Sequence, residues 1–190
     1  MDGSDMERGV AEFCYLYVTD DVSNPESFVE VSRCAWEVSL PLQVLMSGGA
    51  RIERIPRPDL ETAIVADYAH GLANFARMLS HVRIAHAEAF RRRVLGYLRS
   101  STFQYSHAVL GCDGLFGTRA QGNVSQYVRL LGQLRLFEQE LDSTLRYWDI
   151  EHLTTYAVAW SRTLPPPFSH EPARHASPAH RSLDERADGD

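Results

Sequence analysis

The sequence predicts a mainly α fold with one or two short β-strands: a single compact helical domain with a disordered C-terminal tail. The 190 residues, 44% apolar and 10% aromatic, supply one core of ordinary size and not a second. Over most of the chain the apolar residues recur every three or four positions, the period of a helix face. Alternation of period two is confined to short stretches near 12–18 and 81–85. The expected organisation is a flexible leader over 1–10, the domain over 11–164, and a tail over 165–190.

Taken in order, Glu12 to Val18 is aromatic and β-branched enough for a strand, and Asp20 with Asp21 ends it. Asn24-Pro25-Glu26 offers a cap, a proline at the first helical position and an acidic first turn. A helix is therefore expected over 25–37, burying Phe28, Val31, Ala35 and Trp36. A short helix over 40–47 follows and stops at Gly48-Gly49. Pro56 and Pro58 break the next connection, and Asp59 caps a helix whose apolar residues are Leu60, Ile64, Tyr68, Leu72, Phe75 and Leu79.

His81 to Ala85 alternates as a brief strand before a helix over 87–99 carrying Phe90, Val94, Leu95 and Leu98. Residues 100–123, rich in Ser, Gly, Gln and Asn, read as a loop with a turn at Gly111-Cys112-Asp113-Gly114. A long helix then runs to about 147 on Val128, Leu131, Leu134, Leu141, Leu145 and Trp148, with Gly132 a point of bending. A last helix carries Leu153, Tyr156, Ala157 and Trp160. Pro165-Pro166-Pro167 stops the fold, and the polar residues beyond have almost nothing to bury.

A formal charge of -6 argues against a protein that holds nucleic acid by neutralising phosphates. Every one of the 19 basic positions is Arg, and the chain has no lysine. The three cysteines, Cys14, Cys34 and Cys112, are too few and too widely spaced for a disulfide framework or a zinc site, and read as reduced core thiols. The polar, acidic N-terminus has no signal-peptide pattern, and no long apolar run suggests an integral membrane segment, so an intracellular protein is expected.

The sequence carries no Gly-x-Ser-x-Gly, no phosphate-binding Gly-Lys-Ser/Thr, no His-Glu-x-x-His and no Cys-x-x-Cys. His81 and His86 lie five apart, a spacing that suits neither one helix face nor a zinc site. The Arg91-Arg92-Arg93 run reads as a solvated face. The chain is expected to bind proteins, to need no cofactor and to catalyse nothing.

The segment from Leu40 to Pro56 reads Leu-Pro-Leu-Gln-Val, eleven residues, then Pro. Proline at the first helical position loses no hydrogen bond, and Leu40, Val44 and Leu45 on one side would form anchors for a partner's groove if that side were exposed. A core helix is the plainer reading of so short a pattern. The arrangement resembles the minimal F-box of the P-zero RNA-silencing suppressors of poleroviruses and enamoviruses, in which Leu or Ile stands where this chain has Val44. Arg51-Ile52, Pro56-Arg57 and the helix Phe90-Arg91-Arg92-Arg93-Val94-Leu95 follow in the same order. Gly111 to Phe116 is similar to a Gly-x-Asp-Gly element of part of that family, with a shorter spacing to the aromatic.

The resemblance implies a viral suppressor of RNA silencing in the host cytoplasm or nucleus. It would link a SKP-family adaptor of a cullin ubiquitin ligase to Argonaute and promote Argonaute's degradation. Leu40, Pro41, Val44, Leu45 and Pro56 would then belong to the adaptor contact. The alternative is an unrelated helical regulator that binds proteins without a ubiquitin-ligase role.

Overall fold

The computed structural model describes residues 13–164 apart from 36, 58–59, 117–119 and 148–149. The expected leader and tail, and Trp36, Asp59 and Trp148, lie outside the described residues. Five strands form one antiparallel sheet: β1 (Phe13–Thr19), β2 (Val29–Ala35), β3 (Arg51–Arg54), β4 (Thr62–Asp67) and β5 (His107–Gly111), in the order β2-β1-β5-β4-β3. Six α-helices accompany it among the described residues. They are α1 (Leu40–Leu45), α2 (Tyr68–Ser80), α3 (Ala87–Leu98), α4 (Asp113–Phe116), α5 (Ala120–Tyr147) and α6 (Ile150–Thr163).

The fold is therefore mixed α/β, and the expected mainly α domain with one or two strands is wrong. Four unrecognised strands account for the difference: β3 lies in the connection expected between Gly49 and Pro56, and the other three fall in segments read as helix or loop. The helix expected over 25–37 is a single 3-10 turn, Pro25–Ser27, followed by β2. Asn-Pro-Glu does open a helical turn, but Val29-Glu30-Val31-Ser32-Arg33 alternates and pairs along β1, so the ladder wins over helix propensity. The helix expected from Asp59 begins only at Tyr68. Ala63, Ile64, Val65 and Ala66 are all fully buried, because β4 is covered on both faces, and such a strand reads as a continuous apolar run.

The expected loop over 100–123 hides β5, the central strand, for the same reason: Ala108, Val109 and Leu110 are fully buried. The brief strand expected at 81–85 is a turn and irregular chain, in which the Val82 N–H donates to the Leu79 carbonyl. The bend in α5 sits at Glu140 (φ -134°, ψ 38°) and not at Gly132. Its expected stripe holds at Leu131, Leu134, Leu141 and Leu145, all buried, but Val128 is 56% exposed, and Tyr127, Leu130 and Phe137 are buried beside the stripe.

The alternation of β1 divides the molecule. Cys14, Leu16 and Val18 are fully buried on the inner face of the sheet, in one core with Phe75, Met78, Leu98, Leu134 and Trp160 from the helices. A bulge between Leu16 and Tyr17 leaves Val31 of β2 without an opposite residue, and both Val31 and Ser32 turn to this core. There the Ser32 hydroxyl accepts from Trp160 Nε1 at 3.2 Å. The outer face carries a smaller cluster: Ile55, Leu60, Ala63, Val65 and Val109, with Tyr17, Val22 and Phe28 packed on its margin. Val22 and Phe28 from the connection after β1, and Ile55 and Leu60 from the connection after β3, cover part of that outer face.

Candidate functional site

β1 places Phe13, Tyr15 and Tyr17 on the outer face, each half-buried. Their rings form a row. Phe13 and Tyr15 are 6.1 Å apart between centroids, and Tyr15 and Tyr17 are 6.0 Å apart and near parallel at 17°. Tyr17 then meets Phe28 at 5.8 Å, tilted by 44°. Two guanidinium groups lie against the row: Arg33 of β2 over Phe13 at 5.8 Å and Arg57 over Tyr17 at 5.4 Å. Both distances lie within the range in which a cation is held by the negative face of an aromatic ring.

Two cavities open along this row and share Tyr17 and Arg57. The smaller, about 370 Å³, is bounded by Tyr15, Leu60, Gly111, Asp113 and Gly114. Its shape depends on two glycines. Gly111 is paired in register with Tyr15, and a Cβ there would lie 2.2 Å from Leu60 Cδ1. A Cβ on Gly114 would lie 2.8 Å from the Phe13 carbonyl oxygen. The larger cavity, about 730 Å³, is lined by Pro25, Phe28 and Pro56 with the carboxylates of Glu26 and Glu30. Glu30 stands opposite Tyr17 across the β1–β2 pair, and both glutamates are exposed.

On the wall of the smaller cavity Asp113 is held in a hydrogen-bond network. The Tyr127 hydroxyl donates to Asp113 Oδ1 at 3.1 Å and accepts the Cys112 N–H at 2.7 Å. Burial raises the Asp113 pKa above the ordinary carboxylate value, while the Tyr127 hydroxyl and the N–H groups of Thr62 and Glu61 pull it the other way. Burial likewise pushes the Tyr127 phenol up, so it stays a donor at neutral pH. A carboxylate has about four acceptor sites, so this network leaves Asp113 room for a further donor from a ligand.

The five residues expected at an adaptor contact do not come together. Leu40, Val44 and Leu45 are at most 2% exposed, Pro41 is buried, and all four belong to α1 on the inner side. The exposed apolar side expected for this helix is thus turned inward, against α2, α5 and α6. Gly71 of α2 packs so tightly on it that a Cβ would lie 1.9 Å from the Leu45 carbonyl oxygen. Pro56 is exposed and lines the larger cavity on the opposite face of the sheet. Its signal and that of Leu40-Pro41 therefore belong to different surfaces.

The aromatic row was available in the sequence as the odd positions of an alternating strand, but nothing local marked that face as uncovered. Arg57, Glu30 and Asp113 join it only through the tertiary fold. Among the described residues no group of three or more His, Cys, Asp or Glu is placed to hold a metal ion, and no helix is long and apolar enough to cross a membrane. Arg91 pairs with Glu88 at 2.6 Å and Arg93 lies over Phe90 at 5.9 Å, so both have partners on their own helix.

Residues 19–150 match the model of one protein family, described as a domain of unknown function (DUF7822). No curated protein and no solved structure matches the chain.

Proposed function

Since the chain belongs to the DUF7822 family, whose description carries no activity, we propose from geometry that it is a noncatalytic protein-binding module whose contact surface is the outer face of the sheet. The observation that carries this reading is the row Phe13-Tyr15-Tyr17-Phe28, half-buried beside a two-part cleft and flanked by arginine and glutamate side chains. Large aromatic rings and arginines at the centre of a surface with a charged rim are the composition of protein contact sites. The net charge of -6 favours protein over nucleic acid as partner.

This keeps the binding role expected from the sequence and moves its surface from α1 to the sheet. The adaptor form of that role, with a SKP-family protein and Argonaute as partners, rests on the Leu-Pro resemblance alone and requires α1 to leave the core.

Photo-crosslinking tests the proposal. Pro56→benzoylphenylalanine and Glu30→benzoylphenylalanine place a reactive group on the cleft rim, and Gln139→benzoylphenylalanine places one on an exposed position of α5. In cell extract the two rim variants are expected to trap the same protein, with loss of the adduct on Arg57→Glu. Equal trapping from position 139, or none from the rim, would sink the assignment of this face.

A further inference from the structure

The cleft has its own internal model of a ligand. Arg57 and Arg33 each lay a guanidinium on a ring of the row, so the outer face uses aromatic–guanidinium stacking twice on side chains of this chain. Tyr15, between those two rings, is paired in register with Arg33, yet the Arg33 guanidinium lies over Phe13. On its other side Tyr15 faces Gly111, which has no side chain, and the space beyond is the smaller cavity with Asp113 on its wall. A planar cation entering there has the Tyr15 ring and the Asp113 carboxylate among the walls it can touch. The larger cavity adds Glu26 and Glu30. Among the described residues that line the two cavities there are three carboxylates, Asp113, Glu26 and Glu30, and one guanidinium, that of Arg57, while Arg33 lies further along the row at Phe13.

Charge complementarity therefore selects a cation, and ring stacking selects a flat one. We propose that the cleft receives an extended, arginine-bearing segment of a partner protein, with one guanidinium between Tyr15 and Asp113 and a second basic residue at Glu26 and Glu30. In an extended segment alternate side chains lie about 6.6 to 6.8 Å apart, close to the spacing of the aromatic rings. Arginine is preferred over lysine because its planar group both stacks on a ring and presents paired donors to a carboxylate. The inference rests on the outer face being the contact surface and adds the chemistry of what it contacts.

The probe is a fluorescein-labelled Gly-Arg-Gly-Arg-Gly peptide, compared with its Lys and Gln counterparts by fluorescence anisotropy on the full chain. Saturable binding of the Arg peptide is expected, about tenfold weaker for Lys because stacking is lost while charge is kept. Asp113→Asn and the double variant Glu26→Gln, Glu30→Gln should each weaken it severalfold while remaining folded with a cooperative melt at the assay pH, and Glu88→Gln on α3 should not weaken it. Equal affinity for Arg and Lys peptides, wild-type affinity in the cleft variants, or no saturable binding overturns the proposal. So does tighter binding of a single-stranded RNA oligomer than of the Arg peptide, since an aromatic row with arginines also fits stacked bases. The two readings fail separately: a rim crosslink to a segment without arginine removes this inference and leaves the contact surface standing, whereas absence of any rim crosslink removes the surface itself.

Discussion

At Gly71 the backbones of two helices meet with no room for a methyl group. A Cβ there would lie 1.9 Å from the Leu45 carbonyl oxygen, a clash with main chain that no rotamer change relieves. Gly71→Ala is expected to cost about 2–3 kcal/mol in the way of an overpacked core. At Gly132 of α5 nothing lies within 4 Å of the added atom, so Gly132→Ala should stabilise by about 0.5–1 kcal/mol through helix propensity. Urea denaturation of the two variants measures the contrast, and a similar change in both would contradict the packing described. Asp113 gives a pH signature. Its folded-state pKa is raised, chiefly by burial, so the fold favours the neutral acid. The associated stability is complete below the unfolded value near 3.9 and is lost as pH rises through the folded value. The melting temperature of Asp113→Asn relative to wild type should therefore climb between pH 3 and pH 7. A falling difference would mean that the Thr62 and Glu61 N–H groups outweigh desolvation.

Among the elements, α1 is the one whose role changes most between sequence and structure. Ser39 precedes it without a side-chain cap, and Pro41 occupies its first turn, so its six residues hold a helix mainly by what they bury. Ser47 and Asn74 close the polar account behind it: Asn74 Nδ2 donates to Ser47 Oγ at 2.9 Å, which donates to the Val44 carbonyl at 2.7 Å. Leu40→Ala and Leu45→Ala should each cost about 2–5 kcal/mol by the cavity they leave. A pull-down of a SKP-family adaptor that compares wild type with a Leu40→Ala, Pro41→Ala variant is consequently informative only when the variant's denaturation midpoint is measured alongside. Capture by a folded wild type, lost in a variant of unchanged stability, would show that α1 does leave the core.

For the molecule as a whole, the fold gathers all three cysteines. Cys14 and Cys34 are directly opposite in the β1–β2 register, and the Cys112 thiol contacts that of Cys14. The contact with Cys112 and burial push the Cys14 thiol up to about 12, and contact with Cys14 and burial raise Cys34 as well. Because the thiolate is the reactive form, the native protein should react slowly with a disulfide reagent at pH 8, and all three thiols should react once it is unfolded in urea. A fast native thiol would place one of them at the surface.

The acidic balance, the absence of catalytic signatures, β1, α3, α6 and most of α5 follow from the sequence by itself, since local period and composition suffice for them. The Asp67 side chain that accepts the His70 N–H at 2.6 Å is a helix start of the usual kind, hidden because a strand with an apolar run precedes it. β2, β4 and β5 needed the tertiary structure. β5 pairs with strands distant in sequence, β4 and β5 are covered on both faces and lose the alternation that identifies a strand, and β2 lies behind the helix-start pattern Asn24-Pro25-Glu26. The same holds for the site. Tyr15 and Tyr17 are visible as aromatic residues at alternating positions. That they border a cleft, with Arg57, Glu30 and Asp113 brought to them and with Leu40, Val44 and Leu45 turned away, was decided by which face of the sheet the helices cover.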